Sequence, residues 1–314
     1  MEQSRNEWYF IVNPRAGSGK TMSEWIPTEK KLDRKGIAYI TAFTDHKRHA
    51  TSLAMEAAQS GYRKIMAVGG DGSLHETYNG IMRWCAENSV SPEEFCLGVM
   101  PIGSGNDWIK SLNVPHDCLE VVDLLAKESF TKMDIVRVSS VGGKVRYMSN
   151  GAGVGFDSHV CKRVNLLKES GFRSKMIYLN ALRHTMLHLK PVKVQVCADG
   201  REIFSGEAYS IAIGNGRYSG SGMRQVPLAR IDDGFIDLML VPKAPLTVLF
   251  KQIPRLFNGT INESKEVVNA RAKVFTIAPL DSESQDIIEI DGEIEGRLPI
   301  TVEVLEERIN VIKG

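Results

Sequence analysis

Residues 65–76 read Ile-Met-Ala-Val-Gly-Gly-Asp-Gly-Ser-Leu-His-Glu, an apolar run that passes directly into a glycine-rich turn. The run Ile65–Val68 predicts a buried strand, and Ser73 to Glu87 has the pattern of a helix. The glycines of the turn leave backbone N–H groups unshielded by Cβ atoms, so that a polyphosphate can approach closely. Asp71 lies inside the turn, where its carboxylate would repel phosphate unless a cation intervened. The stretch therefore indicates nucleotide-phosphate and magnesium chemistry.

Strand-like and helix-like segments alternate on both sides of this turn, with the lengths of βαβ units. The alternation predicts a doubly wound parallel sheet in a Rossmann-like, three-layer α/β domain over residues 1–132. In such a sheet the ligand-binding loops follow the carboxyl ends of the strands. The predicted strands are Trp8–Val12, Ile37–Phe43, Ile65–Val68 and Phe95–Met100, with helices near Thr21–Lys35, before Gly61 and over Ser73–Glu87.

The pattern changes at about Met133, beyond which short strands with alternating polarity dominate. This change predicts a C-terminal antiparallel β-sandwich domain over residues 133–301. Helical stretches interrupt it near Val160–Leu189 and Leu246–Phe257. The predicted strands are Asp134–Ser140, Lys144–Asn150, Val192–Ala198, Arg201–Gly206, Tyr209–Asn215, Ile236–Val241, Ala272–Ala278, Ile287–Asp291 and Ile300–Leu305.

Composition excludes several classes of protein. The net charge of +1 and the pI of about 7.7 give no electrostatic reason to expect nucleic-acid binding. The 5 cysteines are widely spaced and form no Cys-x-x-Cys pair, which argues against a disulfide framework or a zinc ribbon. We find neither an apolar run near the ~18 residues of a membrane span nor a signal-peptide pattern. We therefore expect a cytoplasmic protein, which would have to visit the membrane surface if its substrate were a lipid.

Two further glycine-rich loops follow predicted strands. The loop Asn13–Lys20 is not a P-loop, because Pro14 stands where that motif needs glycine, and Met22 replaces the third glycine of a dinucleotide fingerprint. The loop Gly103-Ser104-Gly105-Asn106-Asp107 could be only a tight turn with helix caps. Because all three loops follow parallel strands, we expect them to converge at one edge of the sheet.

Other candidate motifs have strong structural alternatives. Asp291-Gly292-Glu293 is a favoured hairpin turn, and Arg230–Phe235 is also turn-like. His184 and His188 are spaced for one helix face, but no third metal ligand accompanies them. The segment Val160–Lys190 is basic and interspersed with apolar residues, which suits either an anionic lipid surface or an ordinary solvated helix.

The motifs occur in an order that resembles the diacylglycerol kinase catalytic domain family, which includes bacterial soluble lipid kinases and sphingosine kinases. The resemblance spans nearly the whole chain. The Gly-Gly-Asp-Gly piece alone is shared with NAD kinases, whereas Gly-Ser-Gly-Asn-Asp and the late Asp-Gly-Glu are more specific. The resemblance implies an NAD kinase/diacylglycerol kinase type of α/β domain, to which residues 302–314 return.

The resemblance also implies an ATP site and its magnesium ion. Asp71 would act through Mg²⁺ near the transferring phosphate. Ser73 and Ser104 stand where the family more often has threonine, which keeps the hydroxyl group. The residues that would contact ATP are Asn13, Pro14, Arg15, Ala16, Gly17, Thr44, Gly69, Gly70, Asp71, Gly72, Ser73, Glu76, Ser104 and Asn106.

In the second domain, the resemblance makes Glu293 the general base that accepts the proton of a lipid hydroxyl. It makes Asp233, with the carbonyl groups of Arg230 and Phe235, a structural metal site. Asn150–Asp157 resembles a Gly-x-Gly-Phe-Asp stretch, to which we assign a structural role.

These implications lead to one main hypothesis and two alternatives. The main hypothesis is an ATP- and Mg²⁺-dependent kinase of diacylglycerol or a similar lipid alcohol. Such an enzyme would contact the inner membrane surface transiently, and a homodimer would be unsurprising. The alternatives are a kinase of a soluble substrate such as NAD, and a non-catalytic nucleotide-binding module.

Overall fold

The structure of the chain is a computed structural model that describes residues 5–103, 105–169, 177–281 and 286–314. It divides into an α/β unit, Met1–Ile135 with Glu306–Gly314, and a β unit, Val136–Leu305. Within the described residues, we find no helix that combines the length and the apolar character needed to cross a bilayer.

A parallel sheet with the strand order β2-β1-β3-β4-β15 forms the centre of the α/β unit. Nearly every residue of β3 and β4 is buried, because helices of βαβ units cover both faces of such a sheet. The elements are β1 (Arg5–Val12), α1 (Thr21–Arg34), β2 (Tyr39–Phe43), α2 (His49–Gln59), β3 (Tyr62–Gly69), α3 (Asp71–Asn88), β4 (Cys96–Pro101), α4 (Asp107–Leu112), α5 (Cys118–Ala126), the first part of β5 (Phe130–Ser140) and the last part of β15 (Ile300–Ile312).

Antiparallel pairing builds the β unit. Strand β9 pairs with β7, β8 and β10, and β12 lies between β8 and β15. Valine and isoleucine side chains of these strands form its core, as in β8, where Val192, Val194 and Val196 alternate with more exposed residues. The remaining elements are β6 (Lys144–Met148), β7 (Gly151–Gly155), α6 (Phe156–Glu169), α7 (Ile177–Leu187), β8 (Val192–Ala198), β9 (Arg201–Gly214), β10 (Ile236–Pro242), α8 (Leu246–Asn258), β11 (Val268–Ala272), β12 (Val274–Pro279), β13 (Ile287–Ile290) and β14 (Glu293–Arg297).

The predicted fold class, an α/β domain followed by an antiparallel β domain, is confirmed. Three strands, β7, β11 and β14, were not predicted. Strand β7 reads Gly-Ala-Gly-Val-Gly and lacks the β-branched alternation of an ordinary strand. Its glycines permit a close approach of neighbouring groups: a Cβ atom on Gly153 would lie 2.9 Å from Glu289 Oε1. The predicted helical stretch Val160–Leu189 contains two separate helices, α6 and α7.

Candidate active site

The turn after β3 presents the beginning of helix α3. Gly70 precedes the helix in an extended conformation, and its carbonyl oxygen accepts hydrogen bonds from the N–H groups of Ser73 and Leu74, at 3.0 and 3.1 Å. Asp71 is the first residue of α3 and is half-buried. The first turn of a helix carries the positive end of the helix dipole. This turn can therefore bind an anionic group.

Side-chain and backbone contacts bring the loop after β1 onto the same turn. Asn13 Nδ2 donates to Ser73 Oγ at 3.1 Å, and Asn13 Oδ1 accepts from the N–H of Arg15 at 3.0 Å. Gly17 has φ of 56°, and a Cβ atom there would lie 2.9 Å from Ile102 Cγ2. A Cβ atom on Gly69 would overlap the Ser73 hydroxyl. Gly17 therefore lets the first loop approach the loop after β4, and Gly69 lets its own turn close tightly on Ser73.

The loop after β4 joins the other two. The N–H of Ile102 donates to the carbonyl of Gly69 at 2.8 Å, and the N–H of Asp107 donates to Asp71 Oδ2 at 3.3 Å. The three glycine-rich loops thus meet at the carboxyl ends of β1, β3 and β4, as their positions after parallel strands predicted. Ser104, one of the predicted ATP contacts, lies outside the described residues.

A buried polar atom faces this group of loops. Asn106 is 3% exposed and has the left-handed conformation, with φ of 48°. Its Nδ2 donates to the carbonyl of Gly103 at 3.2 Å, whereas among the described residues no donor reaches its Oδ1. A Cβ atom on Gly103 would lie 3.1 Å from that oxygen. An acceptor that is buried without a partner costs about 1–3 kcal/mol, so this position suits a donor supplied by a ligand.

Other predicted ATP contacts have structural partners of their own. The N–H of Thr44 donates to the carbonyl of Val12 at 2.9 Å, which places Thr44 beside the end of β1. Glu76 Oε1 accepts from the N–H of Arg48 at 3.0 Å, and its carbonyl accepts from Thr51 Oγ1 at 3.0 Å. These contacts join α3 to the beginning of α2. The carbonyl of Ala16 accepts a hydrogen bond from Thr21 Oγ1. Two other predicted ATP contacts are Pro14, in the loop after β1, and Gly72, in the first turn of α3.

A donor set suited to Mg²⁺ lies among the converging loops. Carboxylate and amide oxygens are the protein ligands that Mg²⁺ prefers, usually together with water. Asp71 supplies a half-buried carboxylate, and Asn106 supplies the buried carbonyl oxygen that lacks a donor. The carboxylate of Asp107 is instead paired with Lys110 Nζ at 2.6 Å. The residues present therefore fit Mg²⁺, which the oxygens of Asp71 and Asn106 would hold.

In the β unit, Asp291 fixes the turn that carries Glu293. Asp291 Oδ1 accepts from the N–H groups of Asn150 and Gly151 at 2.8 and 3.0 Å. Its Oδ2 accepts from the N–H and the hydroxyl of Ser149 at 2.9 and 3.0 Å. Asp291 itself has φ of 51°, a conformation that aspartate tolerates better than most residues.

Further contacts hold the next residue of the turn. The carbonyl of Gly292 accepts from Cys161 Sγ at 3.0 Å and from Asn165 Nδ2 at 3.3 Å, both on α6. The N–H of Gly292 donates to Glu289 Oε2 at 2.8 Å. Glu293 then begins β14 opposite Ile290 and is half-buried. Asp291-Gly292-Glu293 therefore does form a hairpin turn between β13 and β14. The contacts of this turn hold Glu293 in a fixed position.

Asp157 is a half-buried carboxyl group, to which the sequence pattern assigned only a structural role. Its Oδ1 accepts from Gln225 Nε2 at 2.5 Å, and its Oδ2 accepts from the Ser210 hydroxyl. Burial raises the pKa of the Asp157 carboxyl, and the two hydrogen bonds offset only part of this effect. The signal in the sequence was an acidic residue directly after a glycine-rich strand, in the first turn of α6.

The predicted metal site at Asp233 has a cationic side chain beside it. Asp233 Oδ1 accepts from the N–H of Phe235 at 3.2 Å, and its Oδ2 lies 3.3 Å from Arg271 Nη1. Arg271 also forms a bidentate pair with Asp237, at 3.0 and 2.9 Å. A metal ion held by Asp233 and the carbonyl groups of Arg230 and Phe235 would therefore share this carboxylate with a guanidinium group.

The described structure adds little support for a metal site at His184 and His188 or for a lipid-binding role of the basic segment Val160–Lys190. The rings of His184 and His188 stack with centroids 4.4 Å apart, and His188 Nδ1 contacts the His184 carbonyl at 2.9 Å. In the described part of the chain, the residues with three candidate metal ligands in reach of one another are instead Asp45, His46 and His49. Residues 170–176 of the basic segment Val160–Lys190 lie outside the described residues.

Comparisons with known proteins bear on both units. Residues 7–138 match the family model described as diacylglycerol kinase catalytic domain, and residues 151–313 match the YegS C-terminal NAD kinase beta sandwich-like domain. A diacylglycerol kinase of Staphylococcus aureus (strain bovine RF122 / ET3-1) is 29% identical over 302 residues, which cover 96% of this chain and 90% of the relative. The enzyme of the same name from strain MRSA252 is 28% identical over the same shares.

Solved structures show the same fold. The crystal structure of a diacylglycerol kinase from Bacillus anthracis str. Sterne has a TM-score of 0.73 and 22% identity, and covers 98% of this chain and 97% of that one. Another crystal structure from this organism has a TM-score of 0.77, with 24% identity and the same coverage. Together, the two matched domains and the relatives aligned over nearly the whole chain show that the protein belongs to the diacylglycerol kinase catalytic domain family.

Proposed function

We propose that the protein transfers the γ-phosphate of ATP to the hydroxyl group of diacylglycerol or a related lipid alcohol. The observation that carries the proposal is the convergence of three glycine-rich loops on the first turn of α3, next to Asp71. Phosphoryl transfer passes through a loose transition state, so an enzyme contributes mainly position and charge stabilisation. The positive end of a helix dipole and the backbone N–H groups of glycine-rich loops are suited to that task.

The loops of the α/β unit would hold ATP. Asn13 and the Arg15–Gly17 backbone would contact the nucleotide, while Gly69 to Ser73 would surround its phosphates. Asn106 Oδ1, buried and without a donor among the described residues, would accept a hydrogen bond from the nucleotide or from metal-bound water. Asp71 would hold Mg²⁺ near the transferring phosphate. When bound, Mg²⁺ neutralises charge on the phosphate oxygens.

Glu293 would act as the general base. As the hydroxyl oxygen of the lipid attacks the γ-phosphorus, the bond from phosphorus to the β–γ bridging oxygen breaks and ADP leaves. The hydroxyl proton passes to a Glu293 carboxylate oxygen. Asp291 would serve as a positioning residue, because its four hydrogen bonds fix the turn on which Glu293 lies.

The relatives favour a lipid acceptor over a soluble one. They are named diacylglycerol kinase, and they align with nearly the whole of this chain. We further propose residues 1–132, with 302–314, as the nucleotide domain and 133–301 as the lipid domain. A cytoplasmic enzyme with transient contact to the inner membrane surface, and a homodimer, are parts of the same proposal.

The test is transfer of labelled γ-phosphate from ATP, with Mg²⁺, in mixed micelles that contain a panel of lipid alcohols. We expect label in the organic extract, and its chromatographic mobility would identify the lipid. Label in aqueous products alone would contradict the proposal and favour a soluble substrate, with NAD tested next. The absence of transfer to any acceptor would favour a nucleotide-binding module.

A further inference from the structure

Helix α8 (Leu246–Asn258) has an apolar face that the described protein does not cover. Residues at helical spacings i, i+3, i+4, i+7 and i+11 lie on one face of a helix. No residue of α8 is buried, and Leu246, Phe250 and Phe257 are 49%, 55% and 58% exposed. We call this set the α8 apolar face, and its residues are Leu246, Leu249, Phe250, Ile253 and Phe257.

The helix is attached to its unit by a different side. Leu256 packs against a small buried cluster that includes Met239 and Ile261. The carbonyl of Leu256 accepts from the N–H of Arg224 at 2.7 Å, and Arg255 Nη1 donates to the carbonyl of Thr260 at 3.2 Å. The α8 apolar face is therefore left toward solvent by an ordered attachment of the helix, rather than by loose packing of the whole segment.

The charged residues of α8 itself have one sign. From Pro242 to Asn262 the chain carries Lys243, Lys251 and Arg255 and no aspartate or glutamate. Lys251 is exposed, whereas Lys243 is paired with Glu207 at 2.6 Å. A helix with aromatic and aliphatic residues on one face and basic residues beside it is typical of segments that lie in the interface of an anionic bilayer.

A second copy of the chain fits the face less well. A stable protein interface commonly takes about 20–30 residues from each partner, and the α8 apolar face has far fewer. A two-fold contact centred on this helix would also bring the Lys251 side chains of both copies together, since an isologous interface uses the same patch twice. The single sign of charge and the small area both favour an anionic lipid surface.

We propose that the α8 apolar face inserts into the interfacial layer of an anionic phospholipid membrane. The inference rests on the proposed function, because a lipid kinase must reach an acceptor that stays in the bilayer. Phe250 and Phe257 enter among the acyl chains, and Lys251 lies at the level of the phosphate groups.

The test is flotation of the full chain with vesicles, without ATP, so that the readout does not depend on catalysis. One set of vesicles contains phosphatidylcholine alone, and the other also contains phosphatidylglycerol. We expect binding to the mixed vesicles, and Phe250→Ser/Phe257→Ser should weaken it by at least about tenfold. The matched control Thr247→Ala changes an exposed residue of α8 outside the apolar face and should bind as the wild type does.

Two further measurements keep the result interpretable. Lys251→Gln should weaken binding to the mixed vesicles by about fivefold and leave binding to neutral vesicles unchanged. Thermal unfolding should show that Phe250→Ser/Phe257→Ser is folded, because both side chains are more than half exposed.

The proposal is overturned if the wild type does not float with the mixed vesicles, or if the double variant floats equally well. It is also overturned if sedimentation velocity shows that the double variant converts a dimer into a monomer. If vesicles bind through α8 but no lipid is phosphorylated, the membrane contact stands and the proposed function fails.

Discussion

The glycine-rich loops of the α/β unit and the Asp291–Glu293 turn of the β unit place a carboxylate in different ways. Asp71 is placed chiefly by its own neighbours, because a strand, a glycine turn and a helix follow one another within a few residues, and the N–H of Asp107 adds one hydrogen bond to its carboxylate. Glu293 is placed by groups far along the chain: Asp291 accepts its hydrogen bonds from residues 140–142 positions away. The first kind of site is visible in sequence, whereas the second depends on tertiary structure.

The largest expected effect tests the locally built site. Asp71→Asn should reduce turnover by about 10²–10³-fold, because charge stabilisation is usually the largest contribution to phosphoryl transfer. Steady-state kinetics over a range of Mg²⁺ concentrations would measure it. The control is Glu87→Gln, which changes an exposed residue of the same helix α3 and should leave turnover unchanged. Full activity of Asp71→Asn with normal Mg²⁺ dependence would remove Asp71 from the site.

The next effect tests the carboxylate of the β unit. Glu293→Gln should lower turnover by about 10²-fold or more if it removes a general base, while ATP binding stays unchanged. Single-turnover measurements, with nucleotide binding measured separately, would separate the two. The exposed Glu266→Gln is a suitable control. If turnover stays near normal, Glu293 has no part in the proton transfer.

A smaller effect tests how Glu293 is held. Asp291→Ala removes the acceptor of four hydrogen bonds, so it should lower turnover by roughly tenfold through misplacement of Glu293 and destabilise the β unit by about 1–3 kcal/mol. The matched test is the double variant with Glu293→Gln. If Asp291 acts only through Glu293, Asp291→Ala should reduce turnover no further in that background. Additive losses would contradict a positioning role.

The smallest effect concerns the pH dependence of stability. Burial raises the pKa of Asp157 in the folded protein above that of the unfolded chain. Its contribution to stability is therefore complete below the unfolded pKa and is lost as the pH rises through the folded pKa. Asp157→Asn should remove this decline while it keeps a side chain of similar shape. Urea unfolding at acidic and mildly alkaline pH would measure the change, and an unaltered profile would contradict it.

The comparison also explains what could be predicted from sequence. The convergence of the three loops follows from topology, since parallel strands bring their carboxyl ends to one edge. The helix pattern of Leu246–Phe257 was equally visible. The solvent exposure of its apolar face was not, because an amphipathic pattern does not say whether its apolar side meets a core, a partner or a membrane.

Other features depended on pairings that a single sequence does not display. Strand β7 owes its strand conformation to β9 and β13, not to its own glycines. The ion pair of Asp233 with Arg271, and the hydrogen bond from Gln225 to Asp157, likewise join residues from distant segments. A turn motif such as Arg230–Phe235 therefore indicated its local shape and not its partners.

The position of β15 in the sequence has a consequence for co-translational folding. Asn310 and Val311 pair with Cys96 and Leu97 of β4, and they follow the whole of the β unit along the chain. During synthesis, the edge of β4 that pairs with β15 therefore stays unpaired until residues 136–305 have been made. An unpaired strand edge can recruit other chains, so the nascent α/β unit should be most prone to aggregation, and to capture by chaperones, during that interval.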